Sequence, residues 1–207
     1  MGRREIKKEA TKQEILTAAA ELFRTKGYES TSVDDIVAAA NVAKGTFYYH
    51  FEAKEDLVLA LQEAELRVAS ERAKKRMEGS EPSMTILLDF LNDSAHWTTA
   101  NSELAKAMFK QKFEMMMRKP NHEHCPSPSG PPASIKEYFF GTIHALISRA
   151  QATNEFRNDL PAQEIVHIII PVVMSARMHW LMDSQQESLM ARVEKSLMIL
   201  MEGFKPR

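Results

Sequence analysis

The stretch TSVDDIVAAANVAKGTFYYHF, residues 31–51, decides the fold of this chain. Thr31 and Ser32 each precede an aspartate by three residues, a spacing that opens a helix through a capping box. Asn41 tolerates the left-handed backbone of a tight turn, and a second short helix is predicted over Ala43–His50. The pattern therefore predicts two short helices joined by a turn.

The second of these helices is predicted to have an unusual exposed face. Its apolar residues Val42, Phe47 and Phe51 fall on the buried side. The remaining positions then point outward, and they are Lys44, Gly45, Thr46, Tyr48, Tyr49 and His50. Aromatic residues on an exposed short helix indicate a contact surface. In a helix-turn-helix the second helix enters the major groove, where such side chains meet phosphates and base edges.

Two further groups are predicted to contact phosphates. The amides at the start of the first short helix carry unsatisfied donors and a positive dipole, and Lys54 supplies a nearby cation. The predicted DNA-binding residues are Thr31, Ser32, Val33, Lys44, Gly45, Thr46, Tyr48, Tyr49, His50 and Lys54. The basic start of the chain, with Arg3, Arg4, Lys7 and Lys8, is either a solvated terminus or an arm that contacts DNA.

These residues resemble a known family. The matching residues include Ile36-Val37, the run 40–51, Lys54-Glu55 and Leu57, with Ala19, Leu22-Phe23 and Gly27-Tyr28 upstream. Together they resemble the DNA-binding domain of TetR/AcrR-type transcriptional regulators, over about residues 15–61. Two positions depart from that pattern: Asn41 stands where the family often has glycine, and Ala43 where it often has serine. The second departure weakens the helix cap by about 1 kcal/mol.

The resemblance implies an all-α chain of two domains. Residues 1–53 would form a three-helix, helix-turn-helix DNA-binding domain, and residues 54–207 a helical ligand-binding and dimerisation domain. The sequence pattern places helices over Glu9–Lys26, Lys54–Met77, Pro82–Thr99, Ser102–Arg118, Ser134–Ala150, from Pro161 with Asp159 as its cap, and Glu187–Phe204. Five prolines and a glycine make residues 119–133 a loop.

Charge and composition give little direct sign of a nucleic-acid partner. The net charge of the 207 residues is −1, and residues 1–54 hold nine Lys and Arg against eight Asp and Glu. Any DNA contact must then depend on where the charges point. The single cysteine fits a reducing compartment, and we expect a cytoplasmic protein. The most apolar run, residues 165–176, is shorter than the roughly 18 residues of a membrane span, so no membrane partner is expected.

The resemblance also implies a ligand cavity among the middle helices. The candidate lining residues are Trp97, Phe109, Phe113, Met116, Phe140, His144, Met174, Arg177 and Met178. The run His122-Glu123-His124-Cys125 has soft-metal ligands but lies in the proline-rich loop without a distant partner motif. Metal binding and a solvated loop both remain open there, and we predict no metal site and no cofactor.

The sequence thus predicts a homodimeric, ligand-responsive transcriptional regulator. We expect it to repress by binding a palindromic operator in double-stranded DNA, and a small apolar effector to release it. The alternative is a helical small-molecule binding or interaction module without DNA-regulatory activity. An enzyme is disfavoured, because nucleophile-elbow, phosphate-loop and helical zinc-protease motifs are absent from the sequence.

Overall fold

The structure is a computed structural model, and it describes residues 2–106, 135, 137–183 and 187–204. In these residues the regular structure is helical, without strands, as the sequence predicts. The chain divides into two compact units, Met1–Glu63 and Ala64–Arg207.

The first unit is built from three helices and the start of a fourth. These are α1 (Arg3–Lys26), α2 (Val33–Ala39), α3 (Lys44–His50) and the first turns of α4 (Lys54–Met77). The predicted start of α1 at Glu9 is wrong, because the basic residues before it are already helical. Glu5 caps the helix by accepting the Gly2 amide at 2.9 Å. The helix ends at Gly27, whose φ of 85° suits a residue without a side chain.

One apolar cluster holds the helices of the first unit together. Its buried members come from all four helices and are Ile15, Leu16, Ala19, Ile36, Phe47, Phe51 and Leu57. Phe47 is fully buried and packs its ring 5.8 Å from that of Phe51. Since α2 and α3 have only seven residues each, this packing rather than helix propensity maintains them.

In its described residues, the second unit contains four longer helices besides the rest of α4. They are α5 (Ser83–Ala100), α6 (Thr142–Ala152), α7 (Ala162–Met182) and α8 (Leu189–Phe204), and a π-helical turn, Glu137–Gly141, precedes α6. Helices α5 and α7 each pack against both α6 and α8. Residues 102–106 are helical, whereas most of the predicted helix 102–118 and the loop 119–133 lie outside the described residues.

Helix α7 is the most apolar element of the second unit. With 21 residues and a mean hydropathy of 1.5, it is long and apolar enough to cross a membrane. The apolar run predicted from the sequence, residues 165–176, covers only part of this helix. The core helix of a soluble protein meets the same test, and Ile165, Val166, Ile169 and Val173 are buried against neighbouring helices. The predicted cap Asp159 is wrong: the N-cap position is Pro161, and Asp159 instead pairs with Arg157.

Candidate functional site

Local hydrogen bonds set the geometry of the α2–α3 pair. The Ser32 hydroxyl accepts the Asp35 amide at 3.1 Å, and the Asp35 carboxylate accepts the Ser32 amide at 2.8 Å. Asn41 has a φ of 52°, so it takes the left-handed turn conformation that the sequence predicts. The following amide, that of Val42, donates to the Val37 carbonyl at 3.0 Å. The turn is therefore closed by contacts within the pair.

Helix α3 exposes an aromatic face above its buried Phe47. Tyr48 is 52% exposed and Tyr49 is 67% exposed. The ring of Tyr48 stands edge-on to that of Phe47 at 5.3 Å, and Tyr49 stands edge-on to His50 at 5.1 Å. Neighbouring rings thus support both tyrosines while their faces remain accessible. This confirms the exposure predicted for them.

The start of α3 combines a cation with an open backbone. Lys44 Nζ lies 2.8 Å from Asp34 Oδ1, and both side chains are exposed, so the pair stabilises the fold little. The same carboxylate raises the pKa of Lys44. A side chain at Gly45 would meet no described atom within 4 Å, which leaves room for another backbone to approach. Thr46 is half-buried beside it.

Two lysines of α1 lie beside the exposed face of α3. Lys8 Nζ is 4.9 Å from the centre of the Tyr49 ring, a cation–π distance. Burial lowers the pKa of His50, and the charges of Lys8 and Lys12 lower it further. The role of Lys8 was open from the sequence, and no role was predicted for Lys12. The two lysines are four residues apart, so they share one face of a helix. A predicted helix that began before Lys8 would have shown this.

The predicted phosphate site at the start of α2 is partly occupied within the chain. Thr31 is 2% exposed, its hydroxyl donates to the Gly27 carbonyl at 2.7 Å, and its amide donates to the Tyr28 carbonyl at 3.2 Å. The Ser32 amide is taken by the capping box. Of the three amides predicted there, that of Val33 is the one with no acceptor among the described residues.

Lys54 is also engaged within the chain. Its Nζ donates to the carbonyls of Tyr28 at 2.7 Å and Thr31 at 3.0 Å, and it lies 4.0 Å over the Tyr28 ring. The Tyr28 hydroxyl in turn donates to Glu55 at 2.9 Å. Lys54 therefore ties the first turn of α4 to the loop before α2. This contact could not be predicted from sequence spacing, because residues 28 and 54 are far apart along the chain.

The residues predicted to line a ligand cavity separate into three groups. Trp97 is buried, and Arg177 reaches the interior of the second unit, where its Nη2 donates to the Ser94 hydroxyl at 2.5 Å. Four others are exposed among the described residues: Phe140, His144, Met174 and Met178. They belong to the π-helical turn, α6 and α7. Phe109, Phe113 and Met116 lie outside the described residues.

The possible metal ligands His122, Glu123, His124 and Cys125 also lie outside the described residues. Within residues 2–106, 135, 137–183 and 187–204, no group of three or more His, Cys, Asp or Glu is placed to hold a metal ion.

The chain matches known proteins mainly through its first unit. The family model described as bacterial regulatory proteins, tetR family, matches residues 15–61. The uncharacterized HTH-type transcriptional regulator YvdT of Bacillus subtilis is 38% identical over 87 residues, 42% of this chain and 44% of YvdT. The HTH-type transcriptional regulator TcmR of Streptomyces glaucescens is 36% identical over 88 residues, 38% of this chain and 39% of TcmR. The matches thus span less than half the length of these relatives.

Solved structures with a similar fold cover nearly the whole chain. Thermus thermophilus FadR, a TetR-family transcriptional repressor in complex with lauroyl-CoA, has a TM-score of 0.73 at 22% identity, covering 94% of this chain and 95% of its own. A gamma-butyrolactone receptor has a TM-score of 0.52 at 26% identity, covering 96% and 90%. The relatives are regulators rather than enzymes, in agreement with the sequence prediction. Residues 15–61, which contain the capped and tightly turned helix pair, match the bacterial regulatory proteins of the tetR family.

Proposed function

We propose that the protein is a homodimeric repressor that binds a palindromic operator and is released by a small effector. The observation that carries DNA binding is the exposed face of α3. Tyr48 and Tyr49 are held outward by ring contacts, and Lys44 and the open Gly45 stand at the helix start. A helix with this face fits a major groove, where tyrosine and lysine contact phosphates and base edges.

Apolar side chains on the surface of the second unit support pairing of two copies. Met174, Met178 and Met182 follow one another at four-residue spacing on α7 and are 39%, 37% and 71% exposed. On α8, Met198 and Ile199 are 68% and 75% exposed. A face of this kind favours an interface, and a two-fold dimer would place two α3 helices roughly 34–36 Å apart on DNA.

Helix α4 is the element through which an effector would act. At its start, Lys54 and Glu55 are bonded to the loop before α2. Further along, Ser70 shares a buried hydrogen bond of 2.7 Å with Thr142 of α6. We propose that the effector favours a position of α4 in which the two α3 helices no longer match successive grooves. For this, the effector must bind the two states with different affinity.

The structural relatives support a ligand in the second unit. T. thermophilus FadR was crystallised with lauroyl-CoA and B. subtilis FadR with stearoyl-CoA, and both share this fold at 22% and 19% identity. Trp97 and Phe139, buried in the second unit, are suitable apolar wall residues for such a ligand.

A binding titration with two variants tests DNA binding. The wild type, Tyr49→Ala and Lys44→Ala are titrated against DNA from upstream of the protein's own coding region, with fluorescence anisotropy as the readout. We expect each substitution to weaken binding by about tenfold, since a good base or phosphate contact is worth about 1–3 kcal/mol.

Lys75→Ala is the matched control, because Lys75 is an exposed cation near the end of α4. It should leave the affinity unchanged. If neither Tyr49→Ala nor Lys44→Ala weakens binding, the alternative of a ligand-binding module without DNA-regulatory activity replaces the repressor.

A further inference from the structure

Arg177 is half-buried in the second unit, and its guanidinium contacts described side chains of α5 and of the π-helical turn. Its Nη2 donates to the Ser94 hydroxyl of α5, and its guanidinium carbon lies 5.5 Å from the centre of the Phe139 ring. Its Nε is out of contact with solvent and has no hydrogen-bond acceptor in the described chain. A guanidinium has five N–H donors, and these contacts neither use them all nor supply a negative charge.

A guanidinium keeps its charge at neutral pH even here. Burial lowers the pKa of Arg177 to about 10, which is still far above 7. A buried charge without a counter-charge destabilises a fold, because its lost hydration is not replaced. Arginine is well suited to buried ion pairs and to phosphate recognition, so a group that supplies an anion would offset this cost.

Three acids on or next to α5 and α7, the helices that carry Ser94 and Arg177, pair with other arginines. On α5, Asp89 lies 2.7 Å from Arg76 and Asp93 lies 2.7 Å from Arg72. At the end of α7, Asp183 pairs with Arg192 at 3.2 Å. The counter-charge of Arg177 is therefore not among these carboxylates.

Another arginine of the same unit shows how this fold satisfies a guanidinium that serves structure alone. Arg149 donates to the carbonyls of Gly79 and Glu81, each at 2.8 Å, and to the Ser83 hydroxyl at 2.9 Å. These three acceptors join α6 to the segment before α5 and to the first residue of α5. Arg177 has a single acceptor among the described residues, the neutral Ser94 hydroxyl. Its N–H donors are therefore less fully satisfied than those of Arg149.

Apolar side chains of the described residues lie close to Arg177. Val173 and Ala176, beside it on α7, are buried, and the ring of Phe139 packs 5.9 Å from that of Phe90. An apolar wall next to one cation suits a molecule with an apolar body and an anionic end. A planar carboxylate or a phosphate matches the guanidinium fork, because both accept two parallel N–H bonds.

We propose that Arg177 binds the anionic head group, a carboxylate or a phosphate, of an amphiphilic ligand held in the second unit. This rests on the proposed function, since it names the chemical class of the effector. The head group accepts the free N–H donors of Arg177, and the ligand's apolar body lies along the aromatic and aliphatic side chains beside it.

Isothermal titration of the full-length protein with four probes tests the head group. The probes are decanoate, decyl phosphate, 1-decanol and inorganic phosphate. We expect decanoate or decyl phosphate to bind at least about tenfold more tightly than 1-decanol, because hydrogen bonds to a charged group are worth more than neutral ones. The better of the two identifies the head group. Equal binding of decanol, absence of binding by both anions, or inorganic phosphate binding as tightly as either, would overturn the proposal.

Variants separate a ligand role from a structural one. Arg177→Met should abolish the preference for the anionic probes and leave the Tm of the free protein unchanged or raised, since an unpaired buried charge is removed. Arg149→Met should lower the Tm and, where it folds, keep the preference. If Arg177→Met lowers the Tm and the preference for anions persists, Arg177 serves the fold and the proposal fails.

These measurements use no DNA, so a negative result would count against the Arg177 site without bearing on the proposed repressor function. Binding of the anionic probes without any effect on DNA affinity would count against the repressor mechanism while leaving the Arg177 site in place.

Discussion

Aromatic side chains on the exposed face of α3 lie close to cations of α1. Lys8 of α1 stands 4.9 Å from the Tyr49 ring, and Lys8 and Lys12 both act on His50. The net charge of this part of the chain is close to neutral, yet these cations gather where DNA would lie. Asp34 opposes a phosphate contact by Lys44, because a phosphate would have to displace its carboxylate from the lysine.

The pKa of His50 reports this arrangement directly. Burial is the larger cause of its lowered pKa and the two lysines are the smaller one. We expect Lys8→Ala combined with Lys12→Ala to raise the pKa of His50 only part of the way to 6.5, its ordinary value. An NMR titration of the imidazole measures this, with Lys74→Ala combined with Lys75→Ala as a charge-matched control. An unchanged pKa in the first double variant would mean that the α1 cations do not reach α3.

The sign of the effect on stability follows from the lowered pKa. In the pH range just below 6.5, the unfolded chain binds a proton at His50 that the folded chain does not. Stability therefore decreases as the pH falls through that range. His50→Gln should remove this part of the pH dependence of the Tm.

At the scale of elements, two hydrogen bonds from Lys54 tie the start of α4 to the loop before α2. Lys54→Met should lower the free energy of unfolding by about 1–3 kcal/mol, since two hydrogen bonds from a charged group are lost. Urea denaturation measures this. Lys44→Met is the matched comparison: its exposed ion pair contributes little to stability, but its loss should reduce the slope of log affinity against log salt by about one.

The two variants would exchange their behaviour if Lys54 were mainly a phosphate ligand. Lys54→Met would then reduce the salt slope and leave the unfolding free energy unchanged. That result would contradict the structural role given to Lys54.

Helices with strong local signals could be predicted from the sequence. The capping box at Ser32, the left-handed Asn41 and the bounds of α4 are confirmed, because each depends on neighbouring residues. The start of α1 was missed because the segment before Glu9 is charged and has no apolar residues at helical spacing. Its N-terminal cap is marked only by the hydrogen bond between the Gly2 amide and Glu5.

The candidate sites were predictable to the extent that they are local. The exposure of Tyr48 and Tyr49 followed from the burial of Phe47 on the same short helix. The engagement of Lys54 and the pairing of Asp34 with Lys44 depend on tertiary contacts that sequence spacing does not encode. Aromatic and methionine residues are equally suited to a cavity, a core and an interface, so Trp97 and Met178 could not be told apart by type.

At the scale of the whole molecule, the exposed methionines of α7 define a surface that is costly in a monomer. Met182→Glu places a charge on this surface, and we expect the dimer dissociation constant to rise at least about tenfold, because an unpaired charge would be desolvated in an interface. Sedimentation analysis over a concentration series measures it. Ile6→Glu, at an exposed aliphatic residue of α1, is the control and should leave the assembly unchanged. Monomeric wild-type protein throughout the series would contradict the proposed pairing.

In the proposed dimer, two copies of α3 read two related half-sites. Selection of bound sequences from a pool of random double-stranded DNA tests this pairing directly. We expect an enriched palindrome whose half-site centres are about one helical turn, roughly 10 base pairs, apart. Recovery of a single, non-repeated half-site, or no enrichment over the starting pool, would contradict it.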